Sequence, residues 1–389
     1  MTRGSASTAT PFQTYRDVRF FGSLNGLRFL CIGMVLWHHS PVYAAMEQAP
    51  KLLTRGYLGV DFFFVLSGYL ITTLLLREEA RNGSFSLKDF YIRRMLRIIP
   101  VYYLVVTAMS VYWVWVKGME EVAPLVPYYY LFLSNFLVGD VPLLTVTWSL
   151  SVEEQYYLMW PLLLLLLPLL GRAPVVAGLI GICVLTAAGV LGPLLGLSPI
   201  VTEHAVFQLP ATGYSAILMG TLAALLLHSE SGFRALYPLI GHRLAPLVAF
   251  GALILALVAL PGNLMGWPNV PVHGAMTLCL MTLVAREDNL LAPVLRLSPI
   301  ARIGEISYGV YLYHMIALHG GVEIGARLGL APDVALWVQT GLFVGLAVVV
   351  AEISFRTFER FFLRFKPVAN PASRATKKPH SEVFDPSKT

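Results

Sequence analysis

Apolar runs of roughly twenty residues, separated by short polar or Gly/Pro-rich stretches, recur from Leu24 to about residue 355. That is the length at which a helix crosses a bilayer core of about 30 Å. The pattern predicts an all-α, polytopic membrane helix bundle. Its spans fall near 24–43, 58–76, 98–116, 125–138 with its continuation, 152–170, 175–196, 205–228, 245–261, 273–285 with 305–322, and 334–356. The piece 125–138 is short and runs into Asp140 and Pro142, which also suits a re-entrant or interfacial segment. If 273–285 crosses by itself, the total remains ten with 125–138 left out. No internal repeat of the kind many transporters carry is visible.

Charge chooses between these counts. With 125–138 taken as non-spanning and 273–285 as spanning, Lys51, Arg55, Lys117 and Arg327 fall on one side and Arg28 lies inside the first span. Every other Lys and Arg falls on the opposite side, which the positive-inside rule makes cytoplasmic together with both termini. The composition agrees: 57% of residues are hydrophobic and 13% charged, against roughly 25% charged in soluble domains. The net charge of +6 is thus a topology signal, not a nucleic-acid footprint. Cys31, Cys183 and Cys279 all lie in apolar runs and are odd in number, as suits small core residues better than a disulfide set or metal site. The first 22 residues are polar or mixed and lead to no small-residue cleavage site, so no cleavable signal peptide is expected. We expect a cytoplasmic N-terminal segment at 1–21, a membrane domain at 22–364, and a basic, disordered cytoplasmic tail at 365–389.

Ionisable residues inside such a bundle are costly and mark functional sites by default. In LNGLRFLCIGMVLWHHS, Arg28 and His39 are 11 positions apart. On a helix they share one face, about 20° out of register and about 16 Å apart. In the loop before the third span, Arg93, Arg94 and Arg97 cluster, with Arg94 and Arg97 on one face. They serve topology, or they clamp phosphate, which planar guanidinium groups bind bidentately. Asp61, in GVDFFFVLSGYLI, stands at the outer end of the second span, where helix capping would also explain it. Ser67–Gly68 lacks the nucleophile-elbow context and reads as close helix packing.

In TWSLSVEEQYYLMW, Ser151 and Glu154 have capping-box spacing, which gives Glu154 a structural job and leaves Glu153 as the candidate acid, base or orienting group. Trp148, Tyr156, Tyr157 and Trp160 suit an aromatic belt. Tyr308, Tyr311 and His314 form a stripe late in the chain, where a hydrogen-bonded structural histidine is the competing reading. Glu203, His204 and His273 lie near outer loop ends. No metal-ligand spacing, Walker A loop or dinucleotide fingerprint is present in the sequence, and no metal is predicted.

Five blocks in order, the Arg28-to-His39 spacing, GVDFFFVLSGYLI, RRMLRIIP, WSLSVEEQYYL and SYGVYLYH, make the sequence resemble the acyltransferase-3 family of integral membrane O-acyltransferases over most of residues 22 to 360. The resemblance implies about ten membrane helices and transfer of an acyl group, commonly acetyl from acetyl-CoA, to hydroxyls of carbohydrates or other acceptors. It makes Arg28 and His39 the paired first-helix residues, Arg94 and Arg97 the cytoplasmic pair linked to the donor, and Glu153 the motif carboxylate. Some relatives carry a soluble esterase-like domain; only a short polar stretch follows Phe365, so none is expected.

The expected enzyme is an O-acetyltransferase of the cytoplasmic membrane. Acyl-CoA docks from the cytoplasm with its phosphates on Arg93, Arg94 and Arg97, and His39, held by Glu153, takes the proton of an acceptor hydroxyl. Arg28 binds the polar part of the donor or stabilises developing negative charge. Direct transfer and an acyl-enzyme step both remain open. The loops near 197–212 and 262–273 would set acceptor choice, whether surface polysaccharide, lipid-linked sugar or small metabolite. The competing class is a multipass transporter or flippase with Arg28, His39 and His314 lining a polar path. A purely structural scaffold leaves the buried ionisable stripe unexplained.

Overall fold

The computed structural model describes residues 9–167, 171–208, 212–260, 264, 266 and 268–367. The expected tail from 368 onward and parts of the two loops assigned to acceptor choice lie outside the described residues. The described chain is almost wholly helical, its one small sheet pairing β1 (Ile200–Val201) antiparallel to β2 (Val206–Phe207).

The main helices are α1 (Pro11–Asp17), α2 (Ser23–His38), α3 (Leu58–Asn82), α4 (Leu87–Ser110), α5 (Trp148–Leu166), α6 (Arg172–Ala187) and α7 (Thr212–His228). They continue as α8 (Glu230–Ile240), α9 (Ala245–Ala259), α10 (Asn269–Ala285), α11 (Ser298–Glu305), α12 (Ser307–Ala326) and α13 (Pro332–Ser354).

Among the described residues three helices are long and apolar enough to cross a membrane: Leu58–Asn82, Leu87–Val116 and Pro332–Leu363. The bent pair Gly213–His228 and Glu230–Ile240, at 108°, makes a fourth candidate. Only 17% of the most apolar window of Pro332–Leu363 is buried within the protein. An apolar helix that turns most of its surface outward needs lipid, not water, as its solvent.

Several expected spans take other forms: the helix of 24–43 ends at His38, and 175–196 breaks after Ala187 with a separate short helix at Leu191–Leu195. Residues 125–138 fold as the short helix Val126–Tyr130 between 3₁₀ turns, a helix too short to cross a bilayer by itself. This piece is tied to the β-hairpin, Val138 N–H donating to the His204 carbonyl at 3.0 Å. The hairpin takes up the start of the expected 205–228 span, because Ile200, Val201, Val206 and Phe207 are β-formers and pair locally before α7 begins. Residues 273–285 and 305–322 belong to separate helices, α10 and α12.

The α3–α4 hairpin aims the arginine block. Gly83, at φ +76, ends α3, and Ser86 caps α4 by accepting from Asp89 N–H at 3.3 Å. The pairing of α3 with α7 depends on glycine: a Cβ on Gly68 would fall 1.9 Å from Ile217 O, and one on Gly220 2.0 Å from Val65 O. Ser67–Gly68 thus has the packing role expected of it. Two apolar cores result, one containing Leu24, Leu27, Phe62 and Tyr69, the other Val35, Val105, Leu312 and Phe343. Val60, Phe63 and Tyr308 pack against both, and the candidate site lies along that seam.

Candidate active site

A cavity of about 350 Å³ runs between α2, α3, α4, α5 and α12. Its wall on α3 is the stripe Val60, Phe63, Ser67, Leu70 and Leu74, spaced as one helical face. Five arginines line it: Arg19 and Arg77 near the N-terminal segment, and, taken together below, Arg28 from α2 with Arg94 and Arg97 from successive turns of α4. Arg28 Nη1 donates to Asn25 Oδ1 at 2.9 Å, and the Arg94 guanidinium stands 5.4 Å from the Tyr157 ring centroid. Among the described residues none of the three forms an ion pair with a carboxylate. Converging guanidinium groups with no carboxylate at ion-pair distance, in a largely apolar protein, suit an anion. At the same end Arg77 donates to Val18 O and Tyr15 O at 2.5 and 3.2 Å, clipping the N-terminal segment to α3.

Both carboxylates of the EE pair line the cavity. Ser67 Oγ donates to Glu153 Oε1 at 2.5 Å. The capping-box reading of Glu154 fails, because α5 starts at Trp148 with Thr147 as N-cap, so that Ser151 is already inside the helix. Ser151 Oγ instead lies 2.8 Å from Ser134 Oγ, in a hydrogen bond to the 3₁₀ turn before α5. Glu153 is bonded to Ser67, not to His39 as its expected role required.

His39 is the residue immediately after α2. Its Nδ1 lies 2.9 Å from Val35 O. A carbonyl only accepts, so Nδ1 carries the proton and Nε2 is left with the lone pair. His314, fully buried on α12, is held likewise by Nδ1 on Tyr311 O at 2.5 Å, and its Nε2 has no partner among the described residues. The two rings meet edge to face with centroids 4.9 Å apart. Tyr311 links them to the cavity: it lines the cavity wall, its ring lies 5.4 Å from that of His314, and its hydroxyl lies 2.6 Å from Ser149 Oγ. Arg94, Glu153, Ser67 and Tyr311 all line the cavity, and from Tyr311 the ring contacts continue to His314 and His39, at the end of α2 away from Arg28.

Other expected residues lie apart. Arg93 does not line the cavity; it turns outward to Glu78, with Nη2 to Oε2 at 3.0 Å. Asp61 joins a separate buried group, accepting from Asn269 Nδ2 at 3.0 Å and standing 3.2 Å from His273 Nε2, whose Nδ1 lies 3.0 Å from Ser215 Oγ. Tyr308 lines the cavity while its hydroxyl donates to Ile98 O at 3.1 Å. Glu203 and His204 sit in the β-hairpin turn. Among the described residues no His, Cys, Asp and Glu side chains cluster as a metal site.

Sequence reasoning passed over Ser67 as a cavity group, although the apolar stripe of α3 broken by one hydroxyl was the available signal. Beyond the last long helix, Lys366 approaches the arginine mouth. Burial first, and then the charges of Arg97, Arg94 and Arg93, lower its ammonium pKa to about 8.

Residues 21–355 match the acyltransferase-3 family, described as an acyltransferase domain. The chain is 28% identical over 375 residues to the peptidoglycan O-acetyltransferase OatA of Listeria monocytogenes, a match covering 88% of this chain and 55% of that protein. It is 27% identical over 371 residues to the putative peptidoglycan O-acetyltransferase YrhL of Bacillus subtilis, covering 88% and 55%. A putative O-acetyltransferase of Staphylococcus aureus strain COL is 25% identical over 371 residues, covering 90% and 58%. The chain spans little more than half the length of these curated relatives. No solved structure matches it.

Proposed function

The chain belongs to the acyltransferase-3 family, and on that premise we propose that it is a membrane O-acetyltransferase carrying acetyl from cytoplasmic acetyl-CoA to a hydroxyl of a cell-surface carbohydrate. In this reading the bundle crosses the cytoplasmic membrane ten times with both termini inside. The acceptor is peptidoglycan or a related glycan, by likeness to the relatives named for it. The observation that carries the reading is the cavity itself. One end gathers Arg28, Arg94 and Arg97 with no carboxylate at ion-pair distance, and the other reaches the His314–His39 pair through Tyr311.

The phosphates of the donor rest on Arg94 and Arg97, with Arg93 at the rim tied to Glu78. The pantetheine arm follows the apolar stripe of α3 inward. His39 Nε2 takes the acceptor proton as the hydroxyl oxygen attacks the thioester carbonyl carbon. The C–S bond breaks, the ester forms, and the proton passes to the departing thiolate. His314 supports the His39 ring, and Arg28 offsets negative charge along the donor.

The test is transfer of label from radiolabelled acetyl-CoA in membranes containing the wild type or His39→Ala, following CoA release and labelled carbohydrate together. We expect His39→Ala to lower transfer by roughly 10²–10⁴-fold while CoA binding persists. Undiminished transfer in a well-expressed His39→Ala protein removes His39 as base. Absence of CoA turnover in the wild type with any carbohydrate acceptor overturns the activity itself.

A further inference from the structure

Helix α4 does not end in an ordinary last turn. It widens into a π-turn, Val111–Val116, closed by Lys117 N–H donating to Tyr112 O at 2.9 Å, and Met119 N–H reaches the Trp113 carbonyl at 3.0 Å. Gly118, at φ +68, takes the left-handed conformation that turns the chain there. Such π-turns are rare and concentrate at functional sites. This one presents Tyr112 and Trp113 to a groove of about 560 Å³ whose other wall is His319, Glu323 and Arg327.

Those three residues stand at i, i+4 and i+8, a single stripe that begins on α12 and ends just past it. His319 lies about 140° round the helix from His314 and about 7.5 Å further along it. The groove therefore opens on a different face from the histidine pair, and it shares no lining residue with the arginine cavity.

Its chemistry is not that of a lipid contact. Belt aromatics face headgroups and hydrocarbon, whereas these rings lie across from an imidazole, a carboxylate and a guanidinium. Trp113 and Tyr112 meet edge to face with ring centroids 5.1 Å apart, which gives the groove an angled aromatic wall. Arg327 reaches Glu323 only at 4.0 Å with both side chains exposed, so neither group is committed to the other. The Lys117 ammonium stands 5.5 Å from the Tyr112 ring centroid. Two cations face one carboxylate across aromatic surface.

We propose that this groove binds a carboxylate-bearing glycan. A sugar ring packs against the angled wall of Tyr112 and Trp113, its hydroxyls bond to His319 and Glu323, and its carboxylate lies between Lys117 and Arg327. The assignment rests on the acyl-transfer reading in one respect, that the groove is then the outer dock of the acceptor.

Binding is measured on the full chain in detergent or nanodiscs, without donor, by tryptophan fluorescence and saturation-transfer NMR. The probes are a soluble β-1,4-linked N-acetylhexosamine oligosaccharide and the same backbone bearing carboxylates. We expect the carboxylated probe to bind at least tenfold more tightly than the neutral one. Lys117→Gln with Arg327→Gln should erase that preference, and Trp113→Ala should weaken both probes tenfold or more. Trp113→Phe keeps an aromatic ring and the fold, and should retain most of the binding that Trp113→Ala loses. Equal affinity for both probes, no binding to the wild type, or wild-type binding by all variants overturns the proposal. Groove-dependent binding with no acetyl-CoA turnover would keep the glycan site and overturn the transferase reading. Turnover onto glycan with groove variants indistinguishable from wild type in acceptor KM would do the reverse.

Discussion

At the scale of single residues, spacing predicted the right helix and, for Glu154, the wrong job. Arg28 and His39 stood out because ionisable residues in one apolar run differ from their neighbours, although His39 falls just past the end of α2 and not on its face. Glu154 was not legible, because S-x-x-E signals a cap only if the helix starts at the serine, and here α5 starts at Trp148. The structure therefore reverses the expectation for Glu154→Ala. Thermal stability should stay within roughly 1 kcal/mol, below what loss of a strong cap can cost, and acetyl transfer should fall. A large drop in melting temperature with turnover intact would return Glu154 to a purely structural role. Lys366 makes a second residue-scale prediction. Its pKa of about 8 lies below its unfolded value of about 10.4. Folding thus opposes its charged form: the penalty to stability is full below pH 8 and fades as pH rises toward 10.4. For the donor the sign is opposite, since the ammonium adds to the pull of Arg94 and Arg97 only while it is protonated. The KM for acetyl-CoA should rise as pH passes through 8, and Lys366→Met should remove that rise. An identical pH profile in the variant would separate Lys366 from the donor mouth.

At the scale of elements, long apolar helices were read well and their connections poorly. Helix α3 follows from its composition, yet the break at 125–138 is tied to a distant segment by Val138 N–H to His204 O, and the β-hairpin at Ile200–Phe207 has strands of two residues, too short to show a period. A periodicity argument has no access to those pairings. Ser67–Gly68 was read as helix packing, and α7 supplies the partner that sequence could not name. Gly220→Ala sets a Cβ 2.0 Å from Val65 O, and backbone cannot yield as a side-chain tip can, so a cost of about 1–3 kcal/mol is expected. Gly345, on the outward face of α13, meets nothing within 4 Å, and Gly345→Ala should instead stabilise by up to about 1 kcal/mol through helix propensity. Thermal unfolding of the two purified variants checks the pair. Equal behaviour would mean that the α3–α7 contact is looser than the glycine geometry requires.

At the scale of the whole molecule, the proposed reaction makes sense only if the two ends of the bundle face different compartments. Acetyl-CoA is confined to the cytoplasm and a surface glycan to the outside, so the arginine mouth must face inward and the Tyr112–Arg327 groove outward. The distribution of Lys and Arg argues for the same orientation by a separate route, because the positive-inside bias acts during insertion and is indifferent to catalysis. The protein is suited to a direct test, since Cys31, Cys183 and Cys279 are all buried and give little background labelling. Lys88 lies in the first turn of α4 near the arginine mouth, Lys51 in the loop before α3 at the other end, and both are exposed. A membrane-impermeant maleimide added to intact cells should label Lys51→Cys and spare Lys88→Cys, and lysis should make Lys88→Cys reactive. The opposite pattern would put the arginines outside, beyond reach of cytoplasmic CoA. The cavity would then have to serve a different anion, and transport of a polar substrate would become the stronger reading.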